Sequence, residues 1–152
     1  MKVLTGPLAA VLLLAGAGTS QAVVRIAHDR GGQIGRYLDR YEKLRASGQT
    51  IIIDGLCASA CTIVLATIPH GKICVTRNAN LAFHAAWDFG ARGRTITNPA
   101  ATRKLYSMYP LRVRHWIATR GGLTPRMIFL RGKRLASMYH PCYLDAQVAA
   151  PR

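Results

Sequence analysis

The chain has 152 residues, of which 50% are hydrophobic, so it can bury one sizeable core but not two. Lysine and arginine number 21 against 6 aspartates and glutamates, a formal net charge of +15, while charged residues make up only 18% of the chain. These values exclude a multidomain protein and a disordered basic tail, and the few scattered carboxylates argue against Mg²⁺, Ca²⁺, di-iron and glycosidase chemistry.

Residues 1–22 predict a secretory signal peptide. Lys2 supplies a positive start, an apolar run extends from Leu8 to Gly18, and Ser20-Gln21-Ala22 is a small-x-small cleavage signal. The apolar run is shorter than the roughly 18 to 20 residues needed to cross a bilayer, which favours cleavage after Ala22 over a membrane anchor. We therefore expect an exported, periplasmic domain over residues 23–152.

The mature sequence alternates short β-branched runs with helical stretches, which is typical of an α/β layer architecture. The predicted strands are Val23–Ala27, Thr50–Ile53, Lys72–Thr76 and Leu81–Ala85. The predicted helices are Gln33–Ala46, Ser59–Thr67 and Thr102–Thr119, the last with a break at Pro110. The second strand is continuously apolar, as in a parallel sheet covered on both faces, and we expect it to end at Gly55.

The remaining segments are predicted from their turn residues. Trp87 to Ala100 contains Gly90, Gly93 and Pro99 and is expected to be an exposed loop. Thr124-Pro125 predicts a helix start, with the threonine as cap and the proline at the first helical position. The C-terminal end is expected to be short and irregular.

The even number of cysteines predicts two disulfide bonds in an oxidising compartment. Cys57 and Cys61 are followed by two solitary cysteines, Cys74 and Cys142, which fits zinc poorly. The connectivity stays open, and the functional alternative is a reactive thiolate at the helix N-terminus. Cys57 and Cys61 flank Ser59. We therefore expect that a disulfide bond from either one to Cys74 or Cys142 fixes the turn that carries Ser59.

A candidate nucleophile lies where the buried second strand turns into a helix. Ser59 stands at this corner, so its hydroxyl is expected at the positive end of the helix dipole. A serine needs a base to take its proton, and His84 is the one histidine on a predicted strand. The N–H groups of Ala60 and of Gly32, which has no Cβ to block a carbonyl, are candidate donors to an oxyanion.

Three short motifs in the first half of the chain resemble those of the ClpP/crotonase superfamily, the Clp-type serine proteases and crotonases, through its exported bacterial members. They occur in the family's order and at close to its usual intervals between about Val24 and Ala85. The motifs are Gly31-Gly32 before the first long helix, Gly55-Leu-Cys-Ala-Ser59-Ala60 at the strand end, and Leu81-Ala-Phe-His84.

The resemblance implies a repeated β-β-α superhelix with a mainly parallel sheet in a single compact domain, which commonly assembles into trimers or rings. It also implies a role for each candidate residue. Ser59 would be the nucleophile and His84 the general base and later general acid, with Gly32 and Ala60 as the oxyanion hole. No cofactor and no metal are implied.

The sequence departs from the protease branch at the third member of the triad. In that branch an aspartate after the long C-terminal helix orients the histidine, whereas the corresponding stretch, Leu123 to Leu135, contains no carboxylate. Asp88 and Asp145 are the candidate substitutes. Without an acceptor at Nδ1 the imidazole tautomer is not fixed, which in a serine-protease triad lowers turnover by about 10⁴.

Simpler structural roles are the alternatives for these residues. Ser59 could be a helix cap for the Thr62 N–H, His84 a strand histidine bonded to the backbone, and Gly31-Gly32 a plain turn. The first functional hypothesis is an exported serine hydrolase acting on a peptide or ester. The second is a catalytically silent protein of the same fold that holds an anionic envelope component on its basic surface.

The basic residues of the second half are interleaved with Tyr106, Tyr109 and Trp116, a mixture that can bind phosphates. For an exported protein the polyanions within reach are lipid head groups, lipopolysaccharide phosphates and acidic cell-wall polymers, so no nucleic acid is expected. A homo-oligomer is the other expected partner. The basic residues concerned are Arg92, Arg94, Arg103, Lys104, Arg112, Arg114, Arg120, Arg126, Arg131, Lys133 and Arg134. The other histidines, expected in loops or on the surface, are His28, His70, His115 and His140.

Overall fold

A computed structural model describes residues 22–143, so most of the predicted signal peptide and Asp145 lie outside the described residues. The strands are β1 Val23–Asp29, β2 Thr50–Ala58, β3 Ile73–Val75, β4 Asn80–Phe83, β5 Trp87–Phe89, β6 Thr95–Thr97, β7 Ile128–Arg131 and β8 His140–Pro141. The helices are α1 Ile34–Ala46, α2 Val64–Thr67, α3 Pro99–Met108, α4 Leu111–Thr119 and α5 Gly132–Ala136. Short 3₁₀ helices lie at Ser59–Ile63, His70–Lys72 and Ala91–Gly93. None of the helices in this part of the chain is long and apolar enough to cross a membrane.

The long strand β2 organises the main sheet. Strand β1 pairs with it in parallel along one edge, while β3 and β4 pair in parallel with successive parts of the other edge. Strand β8 extends the sheet beyond β3 in parallel, and β7 extends it beyond β4 in the antiparallel sense. Four of these pairings are parallel and one is antiparallel, so the sheet is mixed, and the fold class is α/β.

A bulge in β2 corrects the prediction that Gly55 ends this strand. Ile26 pairs with Ile53 and His28 with Leu56, so Ala27 alone opposes the two residues Asp54 and Gly55. A Cβ on Gly55 would overlap the carbonyl oxygen of Ala27. Glycine lets the strand bulge and continue, so β2 reaches Ala58 and delivers Ser59 at its end.

The hydrophobic core lies between the sheet and the helices. Ile51 and Ile53 of β2, with Leu81 of β4, are fully buried in it. The ring of Phe83 packs edge-on against Tyr109 at 5.3 Å, and its centroid lies 5.7 Å from that of Trp116. Because Tyr109 and Trp116 are buried core residues, the expectation that they take part in a surface for phosphates is wrong.

The segment predicted as an exposed loop, Trp87 to Ala100, contains regular structure. Strands β5 and β6 form an antiparallel hairpin, and helix α3 begins at Pro99. The Asn98 side chain caps this helix by accepting a hydrogen bond from the Ala101 N–H, and Pro99 occupies the first position, where no N–H is needed. The predicted break at Pro110 is confirmed, since it separates α3 from α4.

The helix predicted to begin at Thr124-Pro125 is not formed. The chain instead enters β7 at Ile128, where Leu130 pairs with Leu81 in the core. Antiparallel pairing with β4 buries the apolar residues of this short segment, and this tertiary contact overrides the local helix signal.

Candidate active site

Ser59 occupies a strained backbone conformation at the corner between β2 and the 3₁₀ helix. Its φ is +56°, in the left-handed region that costs a non-glycine residue about 1 to 2 kcal/mol. The cap position of this helix is Ala58, and no side chain caps it. The alternative role of Ser59 as a capping residue for Thr62 is therefore not supported, and its side chain is only partly buried.

Hydrogen bonds from buried side chains stabilise the backbone at the Ser59 corner. The Thr62 hydroxyl donates to the Ser59 carbonyl oxygen at 2.7 Å, so the Tyr109 hydroxyl must be the donor in its 2.6 Å hydrogen bond with Thr62 Oγ1. Tyr41 of α1 donates to the Cys61 carbonyl oxygen at 3.0 Å. Burial raises the pKa of both tyrosines, so both hydroxyls stay protonated and able to donate.

A disulfide bond closes the same corner. Cys57 is bonded to Cys61, and Cys74 to Cys142, so the predicted number of bonds is confirmed. The expected pairing of Cys57 or Cys61 with a distant cysteine is wrong. The turn after β2 brings Cys61 back to a Cα distance of 5.3 Å from Cys57, which suits a local bond. Since all four cysteines are paired, none is a reactive thiol. The two disulfide bonds are consistent with an exported protein.

The Gly31-Gly32 turn packs directly against the Ser59 corner. Asp29 pairs with Cys57 in the β1–β2 register, so the residues that follow the two strands lie side by side. Gly31 has a φ of +81°, and a Cβ there would lie 2.5 Å from the Ala58 carbonyl oxygen and 2.8 Å from the Ala60 nitrogen. Gly31 must therefore be glycine, whereas Gly32, the predicted oxyanion donor, is exposed and has no such contact.

The Asp29 side chain stabilises the Gly31-Gly32 turn, a role that the sequence analysis did not predict. Its carboxylate accepts hydrogen bonds from the Gly31 N–H at 2.9 Å and from the Tyr37 hydroxyl, and Arg40 forms an ion pair with it at 3.3 Å. Burial and the Asp29 carboxylate raise the pKa of Tyr37 to about 12, so this hydroxyl remains a donor. The available signal was an aspartate two residues before a glycine, the spacing of an Asx-turn.

The predicted oxyanion donors border the corner. The Ala60 N–H belongs to the first turn of the 3₁₀ helix, where backbone donors have no partner within the helix. Within residues 22–143, no hydrogen bond from the Gly32 N–H to a protein acceptor is found. Both N–H groups can thus donate hydrogen bonds to a ligand.

His84 directly follows β4, which lies on the edge of β2 opposite β1. Ala58 pairs with Ala82 in the parallel β2–β4 register, so Ser59 and His84 follow adjacent strands at the same end of the sheet. Among the described residues, no hydrogen bond joins the Ser59 hydroxyl to His84. The fold thus brings Gly31-Gly32, Ser59 and His84 to one end of three adjacent strands.

The imidazole of His84 has a defined tautomer. Its Nδ1 lies 2.7 Å from the carbonyl oxygen of Ala85, and a carbonyl can only accept, so Nδ1 carries the proton. Nε2 then has a free lone pair, as a general base requires. The backbone bond expected under the simpler interpretation is therefore present, and it is also compatible with catalysis.

Among the described residues, no carboxylate is hydrogen-bonded to His84. Asp88, on the exposed strand β5, accepts a hydrogen bond from the Asn98 side chain at 2.8 Å. The Leu123 to Leu135 stretch does pass the site, since the Ala85 N–H donates to the Thr124 carbonyl oxygen at 2.8 Å. A third member supplied by Asp88 or Asp145 stays a prediction.

The four other histidines are exposed, as predicted for surface residues. They are His28, His70, His115 and His140.

No protein-family model and no curated protein matches this sequence. Among solved structures, the chain is similar to a ClpP1 mutant from Listeria monocytogenes, with a TM-score of 0.42 and 15% sequence identity. The similarity covers 78% of this chain and 71% of that chain. It is distant and concerns the fold alone, so the repeated superhelix and membership of the superfamily stay predictions.

Proposed function

We propose that this protein is an exported serine hydrolase, a peptidase or an esterase, that acts through an acyl-enzyme on Ser59. The observation that supports it most is the common end of β1, β2 and β4. A glycine turn, a serine with positive φ and a histidine with a free Nε2 follow these three adjacent strands. Strained residues of this kind cluster at sites where geometry matters for chemistry.

The proposed cycle uses only residues of this chain and water. Nε2 of His84 takes the proton as Ser59 Oγ attacks the substrate carbonyl, and the Gly32 and Ala60 N–H groups donate to the oxyanion. The imidazolium then protonates the leaving group, which breaks the ester or peptide bond and leaves an acyl group on Ser59. Water, deprotonated by His84, releases the acid and restores the serine.

The Ala85 carbonyl takes the place that a carboxylate holds in a full triad. It keeps the proton on Nδ1, so the tautomer that the catalytic base needs is retained. As a neutral acceptor it stabilises the imidazolium less than a carboxylate would. We therefore expect turnover below that of a complete triad, by a factor smaller than the 10⁴ or so seen when the tautomer is also wrong.

The proposal includes three further properties. Residues 1–22 predict export to the periplasm with cleavage after Ala22, and the family resemblance implies a β-β-α superhelix of the ClpP/crotonase type and self-association into a homo-oligomer. N-terminal sequencing of the secreted protein tests the first, and sedimentation velocity of the mature chain tests the last.

A fluorophosphonate probe tests the nucleophile, because it reacts only with an activated serine. We expect labelling of Ser59 in the folded, oxidised protein. Ser59→Ala should abolish labelling and His84→Ala should slow it by about 10²- to 10⁴-fold. The matched controls are Ser107→Ala and His115→Ala, which change exposed residues of α3 and α4. Absence of labelling at Ser59, or an unchanged rate in His84→Ala, would overturn the proposal.

The second candidate function is binding of a phosphate-bearing envelope component. Its support is the charge balance: lysine and arginine outnumber acidic residues 21 to 6, and the described residues contain two ion pairs, Arg25 with Asp54 and Arg40 with Asp29. We expect retention on phosphatidylglycerol vesicles that weakens with NaCl and is unchanged in Ser59→Ala. No retention at low salt would exclude this function.

A further inference from the structure

A cavity of about 350 Å³ opens beside His84. His84 and Ala85 line it at the end of β4, the β5–β6 hairpin forms one wall, and Pro125 with Met127 forms the other. A group bound there would therefore contact the imidazole that is proposed to handle the proton. The volume is within the range of ligand sites in proteins, which begins at about 300 Å³.

The hairpin turns one particular face toward this cavity. Trp87 pairs with Thr97 and Phe89 with Thr95, so these four side chains share one face of the hairpin. Three of them line the cavity. Trp87 is 43% exposed, and its ring meets that of Phe89 edge-on at 5.1 Å.

The opposite wall is also apolar and uncovered. Ile128 pairs with Phe83 in the antiparallel β4–β7 register, which places Met127 opposite His84. Met127 remains 42% exposed. Large apolar side chains left in solvent on both sides of one cavity are typical of a binding site rather than of scattered surface residues.

The charge of the lining residues further restricts the kind of group that can bind. The described lining residues include no acidic side chain, no lysine and no arginine, and the hydroxyls of Thr95 and Thr97 are neutral. A charged group of either sign would therefore find no permanent counter-charge in the lining.

We propose that this cavity selects an uncharged apolar group of the substrate, an aromatic or long aliphatic side chain or acyl chain, next to the bond that is cleaved. The inference rests on the proposed hydrolase function, because it assigns the substrate class of that site. Trp87 and Met127 contact the group from opposite walls, while the two threonine hydroxyls border it.

Binding can be measured without catalysis in the Ser59→Ala variant, by following the fluorescence of the exposed Trp87. N-acetylphenylalaninamide is expected to change the emission in a saturable way, whereas the buried Trp116 should not respond. N-acetylglycinamide and N-acetyllysinamide should bind about 10- to 100-fold more weakly, as expected for losing the burial of one large apolar side chain. Trp87→Phe should remove the signal.

Two variants change the cavity lining, and a third is a control on the hairpin outside the cavity. Thr97→Phe fills the cavity and should weaken phenylalaninamide binding by tenfold or more. Ile96→Phe is the matched control, because Ile96 lies on the other face of the same strand. Met127→Ala removes the opposite wall and should weaken binding severalfold, so the test does not depend on one variant folding. Far-UV circular dichroism checks each fold.

The outcomes distinguish this inference from the proposed function. Phenylalaninamide binding to Ser59→Ala, combined with no fluorophosphonate labelling of the wild type, would support the cavity and reject the nucleophile. Labelling of Ser59 combined with equal affinity for phenylalaninamide and lysinamide would overturn the cavity assignment and leave the hydrolase proposal standing. Unchanged binding in both Thr97→Phe and Met127→Ala would also overturn it.

Discussion

At the residue scale, the backbone of Ser59 carries strain that its side chain does not relieve. Within residues 22–143, the non-glycine residues with positive φ are Ser59 and the exposed Arg92. The two differ in surroundings, since the Ser59 corner is held by a disulfide and by buried hydrogen bonds. Backbone strain that the surrounding structure maintains in this way indicates that the Ser59 side chain has a functional role.

Replacing Ser59 with glycine should therefore give a more stable protein than replacing it with alanine. Ser59→Gly is expected to be about 1 kcal/mol more stable than Ser59→Ala, because glycine adopts positive φ without a steric penalty. Urea denaturation of the two variants measures the difference. Arg92→Gly against Arg92→Ala is the matched comparison outside the site and should show a similar gain. A less stable Ser59→Gly would show that the corner is not strained.

Gly31 supports the serine corner by its lack of a side chain. Gly31→Ala would force a Cβ against backbone atoms of residues 58 and 60 at a positive φ, so we expect destabilisation of 2 kcal/mol or more, roughly the left-handed penalty plus the clash. Thermal unfolding measures this loss. Gly35→Ala is the control, since Gly35 lies in α1 with open space around it and should gain about 0.5 to 1 kcal/mol. Equal effects of the two substitutions would contradict this account of Gly31.

At the element scale, Asp54 joins β1, β2 and the turn between β3 and β4. Its carboxylate accepts hydrogen bonds from the Thr76 hydroxyl, the Arg25 guanidinium and the Asn78 side-chain amide. The Thr76 hydrogen bond, followed by that of Arg25, holds the pKa of Asp54 below its usual value. The bulge at Gly55 directs this carboxylate to residues of three segments at once.

The lowered pKa of Asp54 predicts how stability changes with pH. A carboxyl with a lower pKa in the folded state stabilises the protein above the unfolded pKa, about 3.9, and this contribution is lost as the pH falls through the folded value. Asp54→Asn should therefore be less stable at pH 7, and its deficit against the wild type should shrink toward pH 2. Urea denaturation across this range checks it. The matched control is Asp39→Asn, which changes an exposed carboxylate of α1 that takes no part in these hydrogen bonds.

The sequence pattern predicted those elements whose local signals and tertiary contacts agree. Helix α1 and the buried part of β2 follow from hydrophobic periodicity, and the helix break follows from Pro110. Strands β5 and β7 were not predicted, because turn residues follow the first and a Thr-Pro helix signal precedes the second, while their antiparallel partners define them as strands. The continuation of β2 beyond Gly55 could not be predicted for the same reason. The strand bulges there instead of ending because β1 packs closely against Gly55.

At the scale of the whole molecule, parts of the candidate site were predictable and their arrangement was not. Ser59, His84 and Gly32 can be named from residue type and position along the chain. The contact of Gly31 with the corner, the role of the Ala85 carbonyl and the cavity beside Trp87 depend on the registers of β1, β4 and β7. Those registers follow from the assembled core, which no local window of sequence contains.

The two disulfide bonds constrain the chain over very different lengths. Cys74 and Cys142 are 68 residues apart and tie β3 to the segment after β8, whereas Cys57 and Cys61 are 4 residues apart. Constraint of the unfolded chain grows with the length of the closed loop, and it amounts to about 4 kcal/mol for the long loop and about 2 kcal/mol for the short one. Global stability should therefore depend mainly on the Cys74–Cys142 bond.

Each bond can be measured alone, in variants with the other cysteine pair changed to alanine, by comparing the oxidised and reduced forms of the same variant in urea. This comparison leaves the cavity created by the alanines unchanged on both sides. Opening Cys74–Cys142 should lower the free energy of unfolding by about twice as much as opening Cys57–Cys61. Fluorophosphonate labelling of Ser59 should show the reverse order, because only the Cys57–Cys61 bond spans the serine corner. If the local bond dominated stability, or if opening it left labelling unchanged, the division of roles between the two bonds would be wrong.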